Sequence, residues 1–397
     1  MRITPASELH ARIASLQTEM GNSGLDGILM LQNADLFYFT GSIQQGVLYV
    51  PALGEPLYLV RKDHGRARME SGLAQVLPLG SPKEIAERLA DFGLALPAKL
   101  GMELDVVPVS HYQRFQKLFP AAQVVDATPL IRTVRAVKSK YEIEIMKDAA
   151  LQLDRAYQRA KEVVKVGMTD LELAAELEFT CRKMGHQGIT RMRGFNSELF
   201  YGHIFSGSDS AAPAYLDAPL GGIGLNPSIG QGASYKKINR NEPIIIDMVG
   251  AFDGYLVDQT RILCIGGLPD QLKKAYDDML KIELRLKEIA RPGVSWGDVY
   301  EDCHRLACEL GYQDHFMGSK GAQVSFIGHG IGVEVDEYPF IARGMKDQLL
   351  KEYMTFAFEP KAVFPGLGAV GVENTFWVTE GGLKHLTFSS EELVILD

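Results

Sequence analysis

The sequence predicts an α/β protein of two domains, with its chemistry confined to the second. Three observations predict this. The first 125 residues alternate short apolar runs with helical spacing and carry few His or acidic residues in ligand spacing. Further on, two helices joined by a capped junction occur twice, at an offset of 126 residues (311 − 185 = 126). Four carboxylates and one imidazole then fall in order along the repeated part: Asp247, Asp258, His329, Glu359 and Glu373.

In the amino-terminal part, Gly27-Ile28-Leu29-Met30-Leu31, Val47-Leu48-Tyr49-Val50 and Leu57-Tyr58-Leu59-Val60 are apolar runs bounded by Gly, Pro or Asn, the pattern of strands. Between Pro82 and Phe92, the spacing of Ile85, Leu89 and Phe92 predicts a helix. The boundary is expected near residues 126–140, giving domains 1–132 and 133–397. Arg132, Arg135, Lys138 and Lys140 read as a solvated linker ahead of a long helix. That helix carries Ile145, Met146, Ala149, Leu153, Ala156, Tyr157 and Ala160 on one face.

The repeat pairs Gly167-Met168-Thr169-Asp170 with Gly293-Val294-Ser295-Trp296. Thr169 with Glu172, and Ser295 with Asp298, have capping-box spacing, although Asp is the shorter partner. Each copy's second helix is expected to stop at a glycine, Gly185 or Gly311. Asp247 and Asp258 belong to the first copy, Glu359 and Glu373 to the second, so a repeated domain can bring both pairs to one cleft.

The composition is that of a soluble globular protein, 46% apolar and 23% charged. A formal net charge of −9 argues against nucleic acid as a main partner. No apolar run approaches the roughly 18–20 residues of a membrane helix, and Met1-Arg2-Ile3-Thr4-Pro5 opens no apolar leader. Cys181, Cys264, Cys303 and Cys308 form no CxxC pair and read as buried small hydrophobes. A reduced, cytoplasmic protein without membrane contact is expected.

Singly, each acid has an ordinary structural role: a turn aspartate, a local cap, a glutamate closing a strand. Two of them end apolar runs, Ile244-Ile245-Ile246 before Asp247 and Phe356-Ala357-Phe358 before Glu359. His329 stands in Gly328-His329-Gly330, where glycines let the backbone approach closely. Together the five side chains can hold two divalent metals a few ångströms apart, and such a pair makes hydroxide from water near neutral pH.

These residues resemble the signature of the pita-bread metallopeptidases, the family of methionine aminopeptidase, Xaa-Pro aminopeptidase, prolidase and the metal-free creatinase. The resemblance rests on Asp247 through Arg261, Gly328-His329-Gly330, Glu359-Pro360 and Val372-Glu373-Asn374-Thr375. It extends to Asn33 through Gly41, similar to a strand and turn of the creatinase-like amino-terminal domain, and to Arg135-Ala136-Val137-Lys138-Ser139. It implies a creatinase-like α/β domain followed by a pseudo-symmetric pita-bread α/β catalytic domain, and usually a homodimer. By resemblance, Asp247 chelates one metal, His329 and Glu359 the other, and Asp258 and Glu373 bridge both. A hydroxide between the metals attacks an amide carbonyl, and Glu359 shuttles the proton. Manganese is the expected metal, with cobalt or zinc as alternatives. The activity implied is Xaa-Pro dipeptidase or aminopeptidase, on a small peptide or amide.

Three positions depart from the prolidase-like pattern. Asp336 stands seven residues after His329, where a histidine is usual. Ile229-Gly230-Gln231-Gly232 lacks the histidine expected before Asp247, leaving Gln231 as the nearest polar equivalent. Gly371 replaces an arginine two residues before Glu373. Gln231 and Asp336 are therefore candidate catalytic positions, as is His203, with Arg343 and Tyr255 as candidate substrate contacts. The glycine- and proline-rich stretch from Asp217 to Gly232 is expected to border the entrance. The departures leave two other readings open: hydrolysis of a non-peptide C–N bond, such as the ring amide of ectoine, or a binding protein that keeps the fold.

Overall fold

A continuous apolar run belongs inside a sheet, and Gly27–Met30 (β1) is buried at all four positions. The computed structural model describes residues 2–397. Contacts divide it into two units, one holding the chain through Arg135 with Arg193–Asn196, the other Ala136–Met192 with Ser197–Asp397.

The first unit is built on β1, β2 (Gly46–Pro51), β3 (Leu57–Val60), β4 (Val76–Pro78), β5 (Lys99–Met102) and β6 (Gln123–Asp126), in the spatial order β4-β3-β2-β1-β5-β6. The sheet is mixed: β1 runs antiparallel to β2 and parallel to β5. Its helices are α1 (Ala6–Ser23), α2 (Asn33–Thr40), α3 (His64–Glu70), α4 (Ile85–Asp91), α5 (Val109–Leu118) and α6 (Thr128–Ala136), the last ending at the unit boundary. The three expected strands form, and a 3₁₀ turn at Pro82–Glu84 leads into α4. Leu29, Tyr49, Leu59, Ile85, Leu89, Leu100 and Phe115 meet in its core.

Two expectations fail here. Asn33–Thr40 is a helix, not a strand and turn. Gln32 caps it by accepting from the Asp35 amide at 2.9 Å, and Gly41 closes it at φ 79°. Its aromatic residues favour strands, but burial of six of its eight residues overrides propensity. Nor are Arg135 and Lys138 solvated: both are buried, because each has a carboxylate partner. Arg135 Nη1 donates to Asp35 Oδ1 at 2.6 Å, and Arg193 Nη1 donates to Asp35 Oδ2 at 2.8 Å. Lys138 Nζ donates to Glu337 Oε2 at 2.7 Å in the second unit.

The second unit carries a nine-stranded sheet. Its strands are β7 (Gly202–Ser206), β8 (Ile244–Phe252), β9 (Tyr255–Ile265), β10 (Phe326–Ile331), β11 (Val335–Ala342), β12 (Thr355–Phe358), β15 (Glu373–Thr379), β16 (Gly382–His385) and β17 (Val394–Leu396); β13 (Lys361–Phe364) and β14 (Gly368–Gly371) form a separate hairpin. The main order is β11-β10-β12-β15-β9-β8-β7. The repeat appears as α7 (Lys140–Val163) with α8 (Asp170–Lys183), and α9 (Asp270–Ile289) with α10 (Trp296–Glu309). Gly167 and Gly293 take φ values of 85° and 87°, and Gly185 and Gly311 take 98° and 93°, so the copies turn alike. The caps differ as side-chain length dictates. Thr169 and Glu172 close a full capping box, whereas Ser295 accepts from the Asp298 amide without a return bond from Asp298. Cys181, Cys264 and Cys303 are buried and Cys308 partly so, all unbridged. Among the described residues no helix is long and apolar enough to cross a membrane.

The buried carboxylates of the first unit give a pH test. Glu103 accepts from the Leu31 and Gln32 amides and hydrogen-bonds to Asp35. Burial and the Asp35 charge raise Glu103 well above the usual carboxylate range. Burial also works against Asp35, but Arg135 and Arg193 outweigh it and hold it at about 2. The proton therefore resides on Glu103. A group raised on folding stabilises below its unfolded pKa and loses that contribution as pH rises through its folded pKa. Glu103→Gln keeps a neutral donor to Asp35 without an ionisable proton. Its melting temperature should gain on wild type as pH rises from about 5 to about 9; a pH-independent difference counts against the shared proton.

Candidate metal centre

Six neighbouring segments of the second sheet supply the site. Register places His203, Asp247, Thr260 and Glu373 opposite one another on β7, β8, β9 and β15, in one transverse row. A second row runs Thr375, Ala357, His329 across β15, β12 and β10. Directly opposed residues in antiparallel strands share a face, and residues two apart return to it. Asp258, two before Thr260, and Glu359, two after Ala357, therefore join the same face. Thr375 fixes Asp258 from both sides, its Oγ1 accepting from the Asp258 amide at 2.8 Å and donating to the Asp258 carbonyl at 2.9 Å. Thr260 Oγ1 donates to Glu373 Oε2 at 2.7 Å. Glycine is required at 328 and 330: a Cβ at 328 would lie 2.5 Å from the Ala357 carbonyl oxygen, and one at 330 would lie 2.3 Å from Tyr338 backbone.

The five expected ligands converge. His329 Nε2 lies 3.9 Å from both Glu359 Oε1 and Glu373 Oε1, and ligand atoms of Asp258, His329 and Glu373 fall within 4.8 Å of one another. Asp258 Oδ1 is buried and has no hydrogen-bond partner among the described residues. A buried, unpaired carboxylate oxygen facing an imidazole and two further carboxylates suits a divalent cation.

Electrostatics agree. Burial lifts Asp258 well above the usual carboxylate range, and Glu373, Asp247 and Glu359 add repulsion. Burial raises Asp247 to about 6 and Glu359 to about 8, in both cases against the pull of a nearby ammonium. Glu373 goes the other way: burial is outweighed by Lys361, His329 and hydrogen bonds, which hold it below its ordinary value. His329 is raised, burial losing to Asp336, Glu359 and Glu373. The cluster is short of positive charge.

That ammonium is Lys361, which the sequence reading missed. It is wholly buried. Its Nζ donates to Glu359 Oε2 at 3.0 Å and to Glu373 Oε2 at 3.1 Å, and lies 3.8 Å from Asp247 Oδ2. The three carboxylates raise its pKa despite burial. Two signals could have found it. Lys361 stands two residues after Glu359 in extended chain, hence on the ligand side. Its hairpin partner is Gly371, one of the departures already noted. A Cβ at 371 would come 2.7 Å from Lys361 Cδ, so the glycine leaves room for the lysine stem.

The other candidates separate. His203 faces Asp247 in register. Burial, then Lys361, holds it at about 4, so it is neutral, and its Nδ1 has no hydrogen-bond partner among the described residues. Gly232, within the Asp217–Gly232 stretch, packs against it: a Cβ there would lie 3.2 Å from His203 Nδ1. Gln231 is buried beside it and spends an amide hydrogen on the Glu198 carbonyl at 3.0 Å. Asp336, at φ 65°, sits with Oδ1 3.8 Å from His329 Nδ1, behind the imidazole and away from its Nε2. Arg343 lines a cavity of about 450 Å³ with Tyr300, His304, Gln323 and Ser325, to which none of the five ligands contributes. Tyr255 must be withdrawn as a substrate contact. Three residues from Asp258, it points to the opposite sheet face, where its buried hydroxyl donates to Glu142, the capping-box glutamate of α7, at 3.1 Å.

Residues 144–380 match metallopeptidase family M24, and residues 12–137 match the creatinase/prolidase N-terminal domain. The chain belongs to metallopeptidase family M24. A Xaa-Pro dipeptidase from Pyrococcus furiosus is 28% identical over 385 residues, covering 96% of this chain and 99% of that protein. The solved Xaa-Pro dipeptidase from Bacillus anthracis aligns with a TM-score of 0.82 at 26% identity, covering 98% of this chain and all of that one (100%). An X-Pro aminopeptidase from Thermotoga maritima, at 24% identity and a TM-score of 0.77, shares the fold. The M24 fold, a creatinase-type domain followed by a pita-bread catalytic domain, is the architecture described above. M24 metallopeptidases use divalent metals, and one ligand cluster here suits such an ion.

Two substitutions separate the M24 site from its surroundings. Asp258→Ala should abolish metal binding, read by elemental analysis after gel filtration; retained metal would refute Asp258 as a ligand. Tyr255→Phe should leave kcat and KM unchanged and lower stability by about 1 kcal/mol in urea. Lost turnover at unchanged stability would restore Tyr255 to the site.

Proposed function

We propose that this chain is a metal-dependent hydrolase of a small peptide or amide, with the Xaa-Pro bond as first candidate. One observation carries the reading: ligand atoms of Asp258, His329 and Glu373 fall within 4.8 Å of one another, Glu359 Oε1 lies 3.9 Å from His329 Nε2, and Asp258 Oδ1 is unpaired among the described residues. A divalent cation there supplies Lewis acidity toward an amide carbonyl and toward water. Manganese is the first candidate, since the donors are mostly carboxylate oxygens.

The chain's own residues divide the remaining work. Glu359 has one oxygen on Lys361 and the other facing His329 Nε2, so it is the candidate to hold and pass a proton at Oε1. His203, neutral and beside Asp247, is the candidate to bind a substrate polar group. The Gly330 carbonyl, 3.2 Å from Nδ1, orients His329, and the Asp336 carboxylate at 3.8 Å adds negative charge on that side. Gly232 packs against His203 and limits water around it, and the neighbouring Gln231 is tied to the Glu198 carbonyl. The unbridged cysteines agree with a reducing, cytoplasmic setting.

A second reading has its own observation. Lys361 and Gly371 replace substrate-side positive charge with an ammonium turned toward the carboxylates. This favours an amide that brings no carboxylate, such as a cyclic or acylated amine.

A substrate screen with metal content measured alongside separates the readings. The Mn-loaded protein is expected to release amino acid from Xaa-Pro dipeptides. Inertness on a broad Xaa-Pro panel with activity on cyclic or acylated amides favours the second reading. Bound metal with no turnover across both panels defeats both and points to a binding protein.

A further inference from the structure

We propose that the centre takes one divalent cation, and that the Lys361 ammonium stands where a second would. The proposal rests on the metallohydrolase reading and changes what that site holds.

The carboxylates are shared between two cation positions. Glu359 and Glu373 each turn Oε2 to Lys361 Nζ, at 3.0 and 3.1 Å, and Oε1 to His329 Nε2, at 3.9 Å. The Lys361 position is completed by Asp247 Oδ2 at 3.8 Å. The His329 position is completed by Asp258, whose Oδ1 has no partner among the described residues. An ion about 2.1 Å from each ligand requires ligand atoms about 3–4 Å apart, so the His329 position admits a metal after slight contraction. The Lys361 position is already filled by a covalently attached cation. An ammonium has three donors and no lone pair for a metal. A metal on the same Oε2 atoms would lie within a few ångströms of Nζ, where like charges repel strongly at low dielectric.

The lysine is built in. It is wholly buried, and its stem crosses Gly371 in the β13–β14 pair, at a position where any Cβ would meet it at 2.7–2.9 Å.

Asp247 and Asp258 therefore part company. Asp258 belongs to the metal, and Asp247 belongs to Lys361 and the row with His203.

The test is metal stoichiometry and spectroscopy on the full-length chain, stripped of metal and titrated with Mn(II). Wild type should saturate at one ion per chain, with the six-line spectrum of an isolated ion. Lys361→Ala should double this to two, with an exchange-coupled spectrum, and Lys361→Arg should stay at one. Asp247→Asn should still hold one. Two coupled ions in wild type overturn the proposal while leaving the metallohydrolase reading intact; no bound metal in wild type overturns both. A Lys361→Ala protein that folds and stays at one ion overturns the role given to Lys361, and metal loss in Asp247→Asn overturns the division between the two aspartates. If Lys361→Ala does not fold, the wild-type count and spectrum decide.

Discussion

Four carboxylates on one face of a sheet repel one another, and the catalytic unit depends on how that repulsion is met. The sheet imposes the crowding. His203, Asp247, Thr260 and Glu373 stand in register across four strands, and Asp258 and Glu359 return to the same face two residues from these rows. The backbone ladder holds them there whatever their charge. Only cations or protons relieve them, which is why burial and mutual repulsion raise Asp247, Asp258 and Glu359 together. Lys361 relieves part of the strain, and it depresses Glu373, the carboxylate it reaches most directly along with Glu359. What remains is concentrated at Asp258, whose buried Oδ1 has no hydrogen-bond partner among the described residues. The deficit makes Asp258 the candidate position for an exchangeable cation.

The first unit shows the same problem solved without a vacancy for metal. Asp35 is wholly buried, yet Arg135 and Arg193 each donate to one of its oxygens, and neutral Glu103 adds a hydrogen bond. Each Asp35 oxygen has a fixed donor, so nothing exchangeable is called for. The contrast gives a criterion that does not depend on counting acids. A buried acidic group is structural when its donors are covalently part of the chain, and it is a candidate site when one oxygen is left over.

Sequence patterns revealed what depends on period and spacing. The strands Gly27–Met30, Gly46–Pro51 and Leu57–Val60, the α7 face and the glycine-closed repeat helices are local features, and they were legible. The five clustered side chains stood out because each acid pair begins at the end of an apolar strand. Helix α2 was not, since its aromatic residues favour strands and only burial around Asp35 decides otherwise. Arg135 and Lys138 were misread because their partners, Asp35 and Glu337, are distant in sequence. Lys361 was hidden for a different reason. A lysine near a strand end is ordinarily solvated, and the pairing of Lys361 with Gly371 shows that its stem has been given room inside.

That pairing also bears on what the site can accept. Set against the prolidase-like pattern, an arginine is absent at 371 and an acid stands at 336, so both changes remove positive charge from the substrate side. The lysine that accompanies them is committed to Glu359 and Glu373. Arg343 lines a cavity with Tyr300, His304 and Gln323, to which none of the five ligand candidates contributes. Asp336 lies behind His329 and can attract a cation but not an anion. A dipeptide must bury its terminal carboxylate close to the scissile bond, and desolvating an anion without a cationic partner is costly. An amide without that carboxylate meets no such penalty. The physical cost of the missing cation, more than any change at the metal ligands, is the ground on which the second reading stands.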